Sequence, residues 1–377
     1  MTEHLDASAN HSAIESLLSR LEKAEHVLGT KKVTAGFDGF VDTIVRIIKK
    51  KKEGKSPTFF RSKEQFGEYI IEKEGTSFSL ELEEKSARIG GNMPILSHAL
   101  GSLGIQVNCI GALGYPKTAP IFRKLSPRCH IYSFADPGTS TALEFENGKI
   151  LLGQMGELNS LGWKDVKEKI GLETIISLFR ESQLFCLVNW SEILMSTDIW
   201  KGVLQDVLPN LEGVSQSVFI DLSDCSQRSD ESILEALYLI RQISRSRRVT
   251  LGLNKNEANR LYETLFKKKS KKELDQIAEK LFSKLDVHGL VIHSSFEAIA
   301  LDNKGVHRFD TFFIENPAIL TGAGDNFNAG FCTGQLLDLD TAQSLILGHA
   351  VAADFIQKGT SPHLFDVSRF LYEQLKK

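Results

Sequence analysis

The 377-residue chain has no apolar run long enough to cross a bilayer, which excludes a helical membrane span. Its five cysteines (Cys109, Cys129, Cys186, Cys225 and Cys332) form no CxxC pair. An odd, scattered set of this kind argues against a disulfide framework and against a structural zinc site. Positive charge is not in excess either: the net charge is −3, without the global basic field of a nucleic-acid binder. The lysine runs at 49–52 and 267–272 read as solvated turns or helix faces. The first residues lack the basic start, apolar stretch and small-residue cleavage site of a secretory signal, so a cytoplasmic protein is expected. No internal repeat or low-complexity segment stands out.

What the chain does have is an alternation of short β-branched runs ("KVTAGF", "QVNCIGAL", "LFCLVNW", "SVFIDL", "RVTLGLN", "GLVIHS") with helical patterns such as "SILEALYLIRQISRS". Near-continuous apolar strands separated by helices imply a doubly wound α/β domain, with a mostly parallel central sheet flanked by helices. Two excursions, about 43–88 and 130–154, break the alternation. The second carries the hairpin turn "ENGK", and together they are expected to build a small β lid. Residues 1–30 read as an N-terminal helical extension and 31–377 as the main domain.

The stretch "TGAGDNFNAGF" (321–331) places Gly322, Ala323 and Gly324 before Asp325 and then enters a helix. Unpaired N–H groups at a helix start, with the helix dipole behind them, make a ready anion site, and small residues let a phosphate approach. The alternative is that Asp325 simply caps the helix. Gly330 and Gly334, four apart, suggest that this helix packs closely against the sheet. Neither GxxxxGK[ST] nor GxGxxG fits the stretch. In "RIGGNMPILSHALGSLG", Asn92 emerges from the Gly90-Gly91 turn at a helix start, where it can cap the helix or hold substrate hydroxyls. In "LNKNEANRL", Asn254 and Glu257 have the spacing of a capping box, and equally of a pair holding the waters of Mg²⁺.

The order of these stretches along the chain, with "GFDGFVD" near its start, resembles the ribokinase-like (PfkB) carbohydrate kinase family from about Val33 onward. The resemblance implies that Asp325 is the catalytic base and that the N–H groups of Gly322, Ala323 and Gly324 form the anion hole. It assigns Asp42, Asn92 and Gly91 to the substrate, with Asp38 close enough to share that task. It also assigns Asn254, Thr321 and Gly359 to the nucleotide, and Glu257 with Asn254 to Mg²⁺ through water. ATP is the implied donor. Lying at a helix N-terminus, Asp325 should be a weak base, because the dipole favours its ionised form. The family's Asp-Thr ahead of the second signature is replaced here by Ile319 and Leu320, which puts potassium activation in doubt. "DLSDCSQRSD" follows a strand pattern and could bring Asp221, Asp224 or Arg228 to the cleft edge, but a plain loop is the preferred reading, and the histidines show no metal-ligand spacing.

The expected partners are therefore ATP and a small sugar-like acceptor, without nucleic acid or membrane, and a homodimer stays open. A nucleoside kinase of the same fold and a non-catalytic sugar- or nucleotide-binding regulator are the competing readings.

Overall fold

The computed structural model describes residues 7–211, 215–269 and 272–376. The apolar runs form one nine-stranded sheet made of β1 (Lys32–Phe37), β5 (Gln106–Gly111), β6 (Cys129–Ser133), β9 (Leu184–Leu187), β10 (Ser217–Asp221), β11 (Arg248–Asn254), β12 (Gly289–His293), β13 (Glu297–Asp302) and β14 (Gly305–Asp310). A second, five-stranded sheet contains β2 (Phe40–Lys52), β3 (Lys55–Phe59), β4 (Leu82–Gly90), β7 (Gly138–Phe145) and β8 (Gly148–Gln154).

The large sheet has the order β14-β13-β12-β11-β10-β9-β1-β5-β6, and all its pairs are parallel except those made by β13 and β14. Apolar clusters cover it on both faces, as buried parallel strands require. The chain leaves β1 toward β5 and returns to β9 on the other side of β1. The carboxyl ends of β1 and β9 therefore flank a topological switch point, the usual place for a ligand crevice in such sheets.

The small sheet begins at Phe40 and ends its first excursion at Gly90, slightly wider than the sequence suggests. Its hairpin β7–β8 turns at Glu146-Asn147, with Phe145 paired to Gly148, inside the "ENGK" motif. Residues 129–133 do not belong to it: they are the edge strand β6 of the large sheet, parallel to β5. Helix Lys63–Glu72, capped by the Ser62 side chain, covers the small sheet, and Phe66 and Tyr69 close a cluster with Val45, Ile47, Phe60, Leu143 and Phe145.

The lysine run at 49–52 ends strand β2, and is neither a turn nor a helix face. In the second run, Ser270 and Lys271 lie outside the described residues, as do residues 1–6. The N-terminal extension forms two helices, Ala7–Leu21 and Ala24–Thr30. Leu17 and Leu28 are fully buried in the core shared with helices Thr341–Lys358 and Leu364–Gln374, so this segment is part of the main body. No described helix is long and apolar enough to cross a membrane.

Candidate active site

Asp325 lies in the first turn of helix Ala323–Leu336, but it does not cap it; the N-cap is Gly322, at φ 90°. A left-handed residue is needed there, and glycine adopts it without a Cβ penalty. The turn is pinned from inside the helix, with the Asn326 side chain donating to the Gly322 carbonyl at 2.9 Å. The Ala323 N–H donates to the Leu320 carbonyl at 3.2 Å, so it is not the free donor that the sequence suggests. No hydrogen bond among the described residues takes the N–H groups of Gly324 or Asp325.

Asp38 corrects its sequence assignment. It is fully buried, and both its oxygens are occupied: Oδ2 accepts from the Asn92 N–H at 2.8 Å and Asn189 Nδ2 at 2.6 Å, and Oδ1 from the Met93 N–H at 2.8 Å. Asp38 therefore caps helix Asn92–Ser102 from the end of β1 and leaves no surface for a sugar hydroxyl. Two glycines make this possible. A Cβ on Gly91, at φ 87°, would stand 2.5 Å from Asp38 Oδ2, and one on Gly90 would collide with the Asp42 carboxylate. Asn92 is thereby fixed by its backbone, and its side-chain amide lies near enough to Asp325 to favour the ionised carboxylate.

Asn254 and Glu257 form the capping box. Asn254 Oδ1 accepts from the N–H groups of Asn256 at 2.8 Å and Glu257 at 3.0 Å, and Glu257 Oε2 accepts from the Asn254 N–H at 2.8 Å. Glu257 is buried beside Asp221, a residue the sequence reading left in a plain loop. Asp221 ends β10, and its Oδ2 accepts from Asn328 Nδ2 at 2.7 Å, which ties the strand to the helix that carries Asp325. Arg228, by contrast, clamps a loop through the carbonyls of Trp190, Ser191 and Ile193.

Burial pushes all four carboxyls upward: Asp38 to about 7, Asp221 above its ordinary range, and Glu257 and Asp325 well above theirs. For Asp325 the charges of Asp221 and Asp38 add to the desolvation, and they oppose the helix dipole on which the weak-base expectation rests. The opposing influences are hydrogen-bond donors, among them Asn189, Asn328, Asn254 and Asn92. Among the described residues no group of three or more His, Cys, Asp and Glu could hold a metal directly.

Two cavities meet at the turn. The smaller, of about 400 Å³, lies between the small sheet and the body; Asp42 and Arg88 line it on one side, Ile319, Thr321 and Gly359 on the other. Thr321 and Gly359 are thus on the small-sheet side of the turn and not with Asn254. The wider groove, of about 810 Å³, is lined by Asn254, Ser294, Phe296, Phe313, Leu320, Ala323 and Gly324. Phe296 and Phe313 are 81% and 83% exposed there, an unusual state for phenyl rings. His293 and His349 also line this groove, on either side of Phe327, and burial lowers them to about 4 and about 3, so both are neutral. Sequence spacing could not reveal them, because only packing brings them together.

The prokaryotic ketohexokinase family model matches residues 10–374. The chain belongs to that family. It is a ribokinase-like (PfkB) carbohydrate kinase, as the sequence motifs imply. A ketohexokinase from Haloferax volcanii is 24% identical over 341 residues, which cover 90% of each chain. Among solved structures, an adenosine kinase from Sinorhizobium meliloti superposes with a TM-score of 0.65 at 16% identity, covering 91% of this chain and 99% of that one. Arabidopsis thaliana ribokinase complexed with ribose and ATP gives 0.61 at 15% identity, covering 90% and 98%. At these identities the structures establish the fold alone.

Proposed function

We propose that the protein transfers the γ-phosphoryl group of ATP to a hydroxyl of a ketohexose-type sugar held in the smaller cavity. The observation that carries this reading is the position of the 319–324 turn: Ile319 and Thr321 wall one cavity, Leu320, Ala323 and Gly324 wall the other, and Asp325 follows directly. A nucleotide in the wide groove would point its terminal phosphate at the free N–H groups of the helix start. Phe296 and Phe313 offer flat apolar surface for its base.

The sugar hydroxyl attacks the γ-phosphorus, its proton passes to the Asp325 carboxylate, the bond to the bridging oxygen breaks, and ADP leaves with that electron pair. Asn92 orients Asp325, and Asp42 accepts from sugar hydroxyls. Thr321 and Gly359 serve this acceptor side. The small sheet acts as a lid that excludes water and so suppresses ATP hydrolysis.

Mg²⁺ fits the donor set as an ion held by phosphates and water, because buried Glu257 and Asp221 form an acidic cluster with the half-buried Asp325. Its chemistry there would be neutralisation of phosphate charge. Glu257, held rigid by Asn254, would receive hydrogen bonds from the ion's waters.

The nucleoside alternative needs an apolar slot for a second base. Phe60 and Phe145 are instead consumed in the small sheet's own cluster and Phe59 stacks under Arg46, leaving Phe355 as the one phenyl ring of the smaller cavity among the described residues. Phosphorus NMR of products formed from Mg-ATP with ketohexoses, aldoses and nucleosides tests the reading. A sugar phosphomonoester is expected; a nucleoside monophosphate as the dominant product would overturn it.

A further inference from the structure

A separate recess of about 430 Å³ lies at the opposite end of the large sheet. Gln106 and Asn108 of β5 and His130 and Tyr132 of β6 line it, and helix Leu172–Glu181 walls it with Thr174 and Leu178. It sits where β1 and β5 begin, whereas the crevice lies where they end; six residues of β1 at about 3.3 Å each separate the two by roughly 17 Å. Residues 106, 108, 130 and 132 alternate onto one face of the sheet. Parallel strands covered by helices are normally apolar there, as Ile110 is farther along β5. Asn108 is nonetheless only 8% exposed. Its Nδ2 donates to Thr34 Oγ1 at 3.3 Å, and its Oδ1 accepts no hydrogen bond among the described residues. The side chains of His130, Tyr132 and Thr174 make no hydrogen bond among those residues either. Charge, by contrast, is already satisfied: Lys32, at the rim, is held by Glu181 at 2.7 Å.

We propose that this recess binds a neutral polyhydroxylated molecule of monosaccharide size, at a site distinct from the acceptor cavity and independent of the phosphotransfer reading. Each hydroxyl of such a ligand both donates and accepts, so it can meet the Asn108 carbonyl oxygen and the free hydroxyls of Tyr132 and Thr174 alike. An apolar ligand would bury the Asn108 oxygen without a partner, which is unfavourable. An anion would face that oxygen and the Glu181 carboxylate, and would have to draw Lys32 away from Glu181. The volume falls within the range of about 300–1,000 Å³ usual for small-molecule sites.

Methyl NMR of the full chain during titration with D-fructose reads the two places separately, because Leu178 lines the recess and Ile319 lines the acceptor cavity. The wild type is compared with Thr174→Arg, whose long side chain fills the recess. Thr174 is exposed on its helix, so folding should survive, and thermal unfolding checks it. The expected result is a saturable shift of the Leu178 methyls in the wild type, with at least tenfold weaker binding in Thr174→Arg and an unchanged response at Ile319. A shifted Leu178 beside a silent Ile319 also supports the site, and counts against the acceptor cavity alone. No shift of Leu178 in the wild type overturns the proposal. So does a Leu178 shift of equal affinity in Thr174→Arg, because the sugar would then bind elsewhere. A tighter Leu178 response to inorganic phosphate than to D-fructose overturns it as well, since the recess would then be an anion site.

Discussion

Asp38, Asp221, Glu257 and Asp325 belong to four different segments, yet Asp325 feels the charge of the other three, and desolvation is the first cause of the upward push on each. A base must be ionised to accept a proton, so activity should be lost as pH falls through the raised Asp325 value. The acid limb of kcat/KM is expected above the ordinary carboxylate range. Asp221→Asn removes one of the charges that disfavour ionisation of Asp325, and the limb should then move to lower pH; a limb that stays put or moves up would contradict the coupling. Asp325, Asn92, Asn254 and Glu257 stand out in sequence as candidates because each stands in a short glycine- or asparagine-marked turn. Asp38's role was not, since its three hydrogen-bond donors come from residues 54 to 151 positions away. The sequence offers Asp221 only as a less favoured cleft-edge candidate for the same reason: its partner Asn328 is 107 positions distant.

Helix Ala323–Leu336 shows what local pattern can and cannot say about an element. The glycines at 330 and 334 were expected to press the helix against the sheet. They press it against helix Thr341–Lys358 instead, where a Cβ on Gly330 would lie 2.7 Å from the Leu347 carbonyl oxygen and 2.8 Å from the Gly348 Cα. Both obstacles are backbone and cannot swing aside. Gly330→Ala would gain about 1 kcal/mol of helix propensity, but overpacking of this kind costs about 1–3 kcal/mol. Net destabilisation is expected in chemical denaturation, with reduced kcat because the same helix carries Asp325. Unchanged stability would mean that the two helices have room to part. The strands are legible as apolar runs bounded by turns, but 130–133, expected in the small sheet, belongs to edge strand β6 of the large one, because a short edge strand looks like the start of a hairpin.

At the scale of the whole molecule, the doubly wound order sets the carboxyl ends of β1, β9, β10, β11 and β12 along one edge, and Asp38, Asn189, Asp221, Asn254 and His293 are found at or just beyond them. The alternation of strands and helices made this architecture readable from sequence, whereas the order of strands in the sheet was not. The N-terminal segment had no assigned purpose in the sequence; Leu17, fully buried, fits it into the core. Leu17→Ala should lower stability by about 2–5 kcal/mol while leaving the acceptor preference as it was. A loss below 1 kcal/mol would make the extension an accessory rather than part of the body. The net charge of −3 conceals a local contrast between the basic side chains that line the smaller cavity and the carboxylate cluster.

The central claim is that Asp325 accepts the proton of a sugar hydroxyl as the phosphoryl group arrives, and acceptor-dependent ADP formation by wild type and Asp325→Asn tests it most directly. The account requires sugar-dependent turnover in the wild type and a fall in kcat of about 10²–10⁴ in the variant, with ATP binding retained. Equal turnover in the two proteins would remove Asp325 as the base and contradict the account.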